Sequence, residues 1–241
     1  MTHPASPNMP ASKKGNTSTS SGLTLPTREQ LDAHEVGMIK KGGPTKADLR
    51  LVDIGQGPLV VKDFASKTAW VRWIGRVQIS RECSAYDWLG PLSGLARLVG
   101  RVDRHALTLE FIDGEELARS PRRLEKGAQY LERLREIVEA MHARGLAHLD
   151  LRGRENVMLD VNDEIHVLDL AAAVWFRPGS LRHRLFFGWF QLADQAALLK
   201  FKRILGAGEY TEKEQAFLRR FRFYRSLWIF NRKPSSPKGR G

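Results

Sequence analysis

A single cysteine, Cys83, among 241 residues leaves no partner for an internal disulfide and no thiolate set for a zinc site. Its helical setting is that of a small buried hydrophobe. No uninterrupted apolar run approaches the roughly 18–20 residues of a membrane span. The N-terminal stretch lacks an apolar signal-peptide core, so a cytoplasmic protein is expected. The seven histidines include no pair at metal-ligand spacing on a helix, and no Gly-x-Ser-x-Gly elbow occurs. No internal repeat is visible. Acidic residues are scarce too: 27 Asp and Glu face 39 Lys and Arg, a net charge of +12.

That positive excess is unevenly placed. From Arg177 to Gly241 there are 15 Lys and Arg against 4 Asp and Glu, so +11 of the +12 lies in the last quarter. Such a field favours an anionic partner, whether acidic lipid, nucleic acid or a phosphorylated sugar. A solvated basic helix face has the same composition. The stretch "RLFFGWFQLADQAALLKFKRIL" mixes Phe186, Phe187, Trp189 and Phe190 with Lys200, Lys202 and Arg203. It reads either as a buried helix or as an interfacial segment on an anionic inner-membrane surface, and "RRFRFYRSLWIF" poses the same choice.

An apolar content of 42% supports a core. Residues 1–27, rich in Ser, Thr, Pro and Asn, are expected to form a disordered tail, as are residues 233–241. Between them, "EVGMIKKG", "ADLRLVDIG" and "LVVKDFA" read as three strands of an antiparallel meander, punctuated by "GPTK" and "GQGP". "SRECSAYDWL" predicts a helix from Ser80, its possible cap, to Leu89, and "ARLVGRV" and "ALTLEFI" predict two more strands. Leu124, Tyr130, Leu131, Leu134, Ile137, Val138 and Met141 recur at helical spacing, with Gly145 as the stop. "NVMLD" and "EIHVLDL" make a hairpin about "VND", and the rest reads as helix.

The chemistry concentrates around "LAHLDLRGRENVMLD", followed after eight residues by "DLAAA". Asp150 and Asp169 lie 19 positions apart, each against aliphatic residues, with Asn156 between them. An acid beside a buried strand is costly unless something binds it. A metal ion or a reacting hydroxyl would do so. His148 reads as a packed residue rather than a ligand, and Asp194 as a group able to brace this loop.

Taken in order, these residues resemble the protein-kinase-like signature. "LVVKDF" resembles the strand carrying its phosphate-binding lysine, here Lys62, and Glu82, 20 residues on, resembles the helix glutamate that pairs with it. "HLD" resembles the catalytic loop, with Asp150 as base or orienter of the attacking hydroxyl. The resemblance implies ATP and Mg2+, with Asn156 and Asp169 holding the metal. "LEFIDGEEL" resembles the hinge strand, where backbone around Glu110 and Ile112 would bond adenine. "KKGGPTK" holds Gly42 and Gly43, placed either as a phosphate-covering turn or as an ordinary hairpin turn. The resemblance spans about residues 35–205.

Departures narrow the family. The kinase loop has its Asn five residues after the Asp; Asn156 falls six after Asp150. Leu149 stands where an arginine would receive a regulatory phosphate, "DLA" replaces Asp-Phe-Gly, and no Ala-Pro-Glu follows. The sequence is most similar to the compact bacterial lipopolysaccharide kinases (the Kdo and heptose kinase group), with RIO-type kinases as relatives. The expected fold is thus α+β and two-lobed: a small antiparallel β N-lobe with one helix over residues 28–113, and a short, mainly helical C-lobe over 114–232. The expected activity is phosphate transfer to a hydroxyl of a sugar, a lipid-linked sugar or a protein. A serine/threonine protein kinase, and a non-catalytic pseudokinase or nucleic-acid-associated adaptor, remain alternatives.

Overall fold

A computed structural model describes residues 24–227. Residues 1–23 and 233–241 of the two expected tails, and 228–232 of the expected helical part, lie outside the described residues. Residues 24–27 do not behave as tail. Thr27 caps the first helix, α1 (Arg28–Ala33), in a reciprocal box with Gln30. Pro26 is buried, and the Thr24 amide donates to Gln56 Oε1 at 2.6 Å. The sequence reading missed α1 because six residues with one buried side chain, Leu31, carry too little periodicity.

The architecture is α+β. Strands β1 (Glu35–Lys40), β2 (Asp48–Asp53), β3 (Pro58–Asp63), β4 (Leu98–Arg101) and β5 (Ala106–Glu110) form one antiparallel sheet in the order β1-β2-β3-β5-β4. Pleating sends alternate side chains to opposite faces. Val61 joins Val52, Ala106 and Leu31 of α1 on one side, while Val60 packs into the main core on the other.

Helix α2 (Ala69–Leu89) covers that second face and begins eleven residues before the expected start. Ser80 is therefore an interior residue and not a cap. Val71, Gly75, Ile79, Cys83 and Tyr86 form its buried stripe, but Trp70, Trp73 and Val77 form a second, exposed apolar stripe. Two stripes blur the helical period, which hid the first half of α2. Gly75 admits the buried Phe64 ring; a Cβ there would overlap it.

The C-terminal half contains β6 (Gly114–Glu116), α3 (Gly127–Ala143), β7 (Leu146–Ala147), β8 (Val157–Asp160), β9 (Ile165–Val167), β10 (Val174–Trp175), α4 (Gly188–Ile204) and α5 (Glu212–Leu227). Tyr130, Leu131, Leu134, Ile137, Val138 and Met141 are the buried side of α3, and Gly145 ends it at φ 76°. Leu124 is not part of that face. It lies in a 3-10 turn, Pro121–Leu124, and is 59% exposed. β8 pairs with both β6 and β9, and β10, unforeseen at two residues, pairs with β7. One continuous core runs from Phe64, Ile79 and Leu107 to Leu134, Met141 and Phe201, so the two halves are packed together. Among the described residues no helix is long and apolar enough to cross a membrane.

Candidate active site

Lys62 shares the α2-facing side of β3 with Val60, which is why a lysine here is only 9% exposed. Its ammonium lies 2.7 Å from Glu82 Oε2 and 2.9 Å from Asp169 Oδ1. Burial opposes the charge on Lys62, but the two carboxylates outweigh it and raise its pKa above the ordinary lysine value. Glu82 is fully buried. Desolvation pushes its carboxyl up to about 7, with Lys62 pulling down and Asp169 pushing up. Crowding also opposes the charge on Asp169, although 42% of its side chain still meets solvent. The Lys62 charge and hydrogen bond and the Ala171 amide more than offset this and hold Asp169 below the usual carboxylate range.

Asp169 and Leu149 both adopt left-handed backbone, φ 64° and 66°. Non-glycine residues reach that region at a cost, and such strain gathers where neighbours over-determine the chain. At Leu149 the over-determining group is Asp194. Fully buried on α4, it accepts the amides of His148 (2.8 Å) and Leu149 (2.9 Å) and lies 3.0 Å from His142 Nε2. His148 is also fully buried: its Nδ1 accepts the Asp150 amide at 3.3 Å, which leaves Nε2 to donate to the Leu168 carbonyl at 3.0 Å. Asp150 itself is exposed at the end of this scaffold.

The extra residue between Asp150 and Asn156 is absorbed by two successive turns. Gly153 donates its amide to the Asp150 carbonyl (3.0 Å) and Asn156 donates its own to Gly153 (3.2 Å). The chain so returned lets Asn156 Nδ2 donate to the Asp150 carbonyl at 2.8 Å and to Asp150 Oδ2 at 3.1 Å. The Leu168 amide bonds the Asn156 carbonyl (2.9 Å), and Val157 pairs with Val167, so Asn156 and Asp169 flank the same β8–β9 stem. Lys62, Glu82 and Asp169 are thus in direct contact, and Asp150 and Asn156 form a second contact group beside them.

The remaining sequence-predicted residues are placed less directly. The Gly42 amide donates to Asp48 Oδ1 at 2.9 Å, and a Cβ on Gly42 would overlap the Ala47 carbonyl. Gly43 has open space around it and accepts the Lys46 amide. Gly42 is accordingly required by close packing of a hairpin turn. Glu110 ends β5 with its amide bonded to Arg97 O, and the Ile112 amide just beyond has no hydrogen-bond partner among the described residues. Two contacts had no sequence signal. Lys40 at the end of β1 pairs with Glu155, tying the β1–β2 turn to the Asp150 loop. Arg81 of α2 donates to the Ala173 carbonyl at 2.9 Å, tying α2 to the segment after Asp169.

Asp194→Ala removes the acceptor of two backbone amides beneath Asp150. Each stranded buried donor costs about 1–3 kcal/mol, so a loss of roughly 3 kcal/mol or more is expected. For a chain of this size that lowers Tm by about 6–12 °C. A melting curve matching that of the parent protein would remove Asp194 from this bracing role.

Comparison with known proteins finds no family model that matches this chain and no curated protein that matches it.

Proposed function

We propose that this chain is an ATP- and magnesium-dependent phosphotransferase with a two-lobed, protein-kinase-like fold. It moves the γ-phosphate to a hydroxyl, and the acceptor class nearest the sequence resemblance is a lipopolysaccharide-type sugar. The observation that carries the reading is Lys62 bridging Glu82 and Asp169, with the Asp150–Asn156 pair on the adjoining stem. On this reading the five-stranded sheet with α2 is the small lobe, and α3 to α5 with the β6-β8-β9 sheet form the large one.

The donor set fits magnesium. Asn156 spends its Nδ2 on Asp150, and its Oδ1 accepts no hydrogen bond among the described residues. Asp169 Oδ1 takes Lys62 and the Ala171 amide, and its Oδ2 likewise has no partner there. One carboxylate and one amide oxygen suit a hard cation that keeps waters and phosphate oxygens in its remaining positions. When bound, magnesium-ATP supplies the phosphoryl group and screens its charge. The chain's own residues do the positioning, the larger part of catalysis in this reaction class. Lys62 holds phosphate oxygens, and Glu82 keeps that ammonium aimed. The Ile112 amide offers a donor to the adenine edge. Asp150 would accept the acceptor hydroxyl's hydrogen bond and take its proton as the new P–O bond forms and the bond from the γ-phosphorus to the β,γ-bridging oxygen breaks, releasing ADP.

The Lys62–Glu82 bridge closes through unmodified side chains, and Leu149 occupies the position where a phosphate-reading arginine would stand. Phosphate transfer from ATP should therefore require Mg2+ and run at the same initial rate before and after phosphatase treatment of the enzyme. The assay pairs labelled ATP with sugar, lipid-linked sugar and protein acceptors. Absence of Mg2+-dependent nucleotide binding by calorimetry would sink the reading, and a large fall after phosphatase would sink the claim of constitutive activity.

A further inference from the structure

A groove of about 440 Å3 lies where α4, α5 and the loop after Asp150 meet. Arg152, Lys200, Arg203, Arg219 and Arg222 line it together with Phe221, and no acidic residue does. The cations come from three separate segments. Arg152 is two residues beyond Asp150, Lys200 and Arg203 lie on α4, and Arg219 and Arg222 lie on α5. Lys200 Nζ donates to the Arg152 carbonyl, and the Arg152 guanidinium sits 6.0 Å from the Phe221 ring centroid, so the wall is shared with the loop that carries Asp150.

Several cations elsewhere are neutralised by carboxylates, although others, such as Arg154, Arg182 and Lys213, make no ion pair among the described residues. Arg122 and Lys126 share Asp163, and along α3 Arg133 pairs with Glu136 and Arg135 with Glu132. Lys202, next to Arg203, bonds Glu214 at 2.8 Å. Arg203, Arg219 and Arg222 are exposed and make no ion pair among the described residues. Converging like charges raise one another's electrostatic energy unless an anion joins them. Arginine in particular offers planar, multidentate donors suited to phosphate oxygens. A merely solvated basic face would spread these charges along a convex helix rather than aim them into one concavity.

We propose that this groove binds a phosphate-bearing group of the acceptor, so that the molecule phosphorylated at Asp150 is already anionic. The link to Asp150 rests on the phosphotransfer reading above; the binding of phosphate does not. The shared chemistry is a phosphomonoester or pyrophosphate, free or on a lipid headgroup.

The test uses the full chain and inorganic pyrophosphate, followed by calorimetry. A Lys62→Met protein, disabled at the nucleotide site, should bind pyrophosphate. The triple variant Arg203→Gln, Arg219→Gln, Arg222→Gln should lose at least about tenfold in affinity, with Arg→Lys at the same positions restoring part of it. Its melting curve should match the parent's, because all three side chains are exposed. Binding should weaken as salt shortens the screening length to about 8 Å near 0.15 M. Flotation with phosphatidic acid vesicles, with and without competing pyrophosphate, identifies a lipid headgroup as the source if vesicles bind and are displaced. Binding of free pyrophosphate without vesicle capture identifies a soluble phosphate compound. Unchanged pyrophosphate affinity in the Gln variant overturns the proposal, as does tight binding of an RNA oligonucleotide that pyrophosphate does not displace. Mg-ATP affinity of the Gln variant, measured in parallel, should equal that of the parent. A parent that binds pyrophosphate in the groove but no Mg-ATP would refute the phosphotransfer reading and leave the groove standing.

Discussion

Asp150→Asn is expected to leave nucleotide affinity nearly intact and to reduce turnover by about 100- to 10,000-fold, the range spanned by a positioned general base. The side chain is exposed at the tip of a scaffold whose bonds run through backbone groups: the His148 ring takes the Asp150 amide, and Asp194 takes the amides of His148 and Leu149. An amide at position 150 preserves those bonds, and its single side-chain oxygen can still accept from Asn156 Nδ2. What it loses is the capacity to take a proton from the acceptor. Asp169→Asn acts differently. It removes the charge next to Lys62 and the Oδ2 available to a cation, so Mg-ATP binding and turnover should fall together. Calorimetry with Mg-ATP beside an initial-rate assay separates the two. Equal turnover in the parent and Asp150→Asn proteins would end the kinase reading.

Lys62→Met should cut turnover by about 100- to 1,000-fold, in line with loss of one preorganised charge at a reacting centre. It also strands Glu82, which is fully buried and whose Oε2 relies on that ammonium. Removing one partner of a buried pair typically costs about 3–5 kcal/mol. Uptake of a proton by Glu82 will soften that cost. The double variant Lys62→Met, Glu82→Gln should therefore recover stability without recovering activity, a separation that a purely structural role for the pair does not produce.

The same carboxyl governs a pH effect. Its folded pKa, about 7, stands above the ordinary 4.5, so between these values the folded protein binds more protons than the unfolded chain. Stability therefore declines as pH rises through that window. In Glu82→Gln this contribution is absent, and the difference in Tm between the two proteins should change between pH 4.5 and 7. Asp169 carries the opposite sign. Its depressed pKa lends stability that is lost only as pH falls below the ordinary 3.8, outside the window. A pH-independent difference would show that Glu82 titrates normally.

How far the sequence reaches is clearest in the elements around Lys62. Strands β1 to β5, the β8–β9 hairpin and the buried side of α3 follow from periods of two and 3.6 residues, a local property of the chain. The order Lys62, Glu82, Asp150, Asn156, Asp169 was legible too, through its resemblance to the kinase-like signature and not through any period. Periodicity misled where locality was broken. The second apolar stripe of Trp70, Trp73 and Val77 hid the start of α2. Leu124 kept helical spacing while lying outside the helix.

Packing decided what no local period encodes. Lys62 meets Asp169 across 107 residues, a contact that requires the two halves to share one core, and the His148 amide meets Asp194 across 46, a contact that requires α4 to pack against α3 and β7. The basic C-terminal segment shows the same division. Its charge excess was plain from composition alone. That Lys202 is neutralised by Glu214 while Lys200 and Arg203 turn into a groove beside Arg152 was not. Composition fixes how much charge a segment carries. Only the placement of α4 against α5 and the Asp150 loop determines which charges converge, because Coulomb energy depends on distance in space and not along the chain.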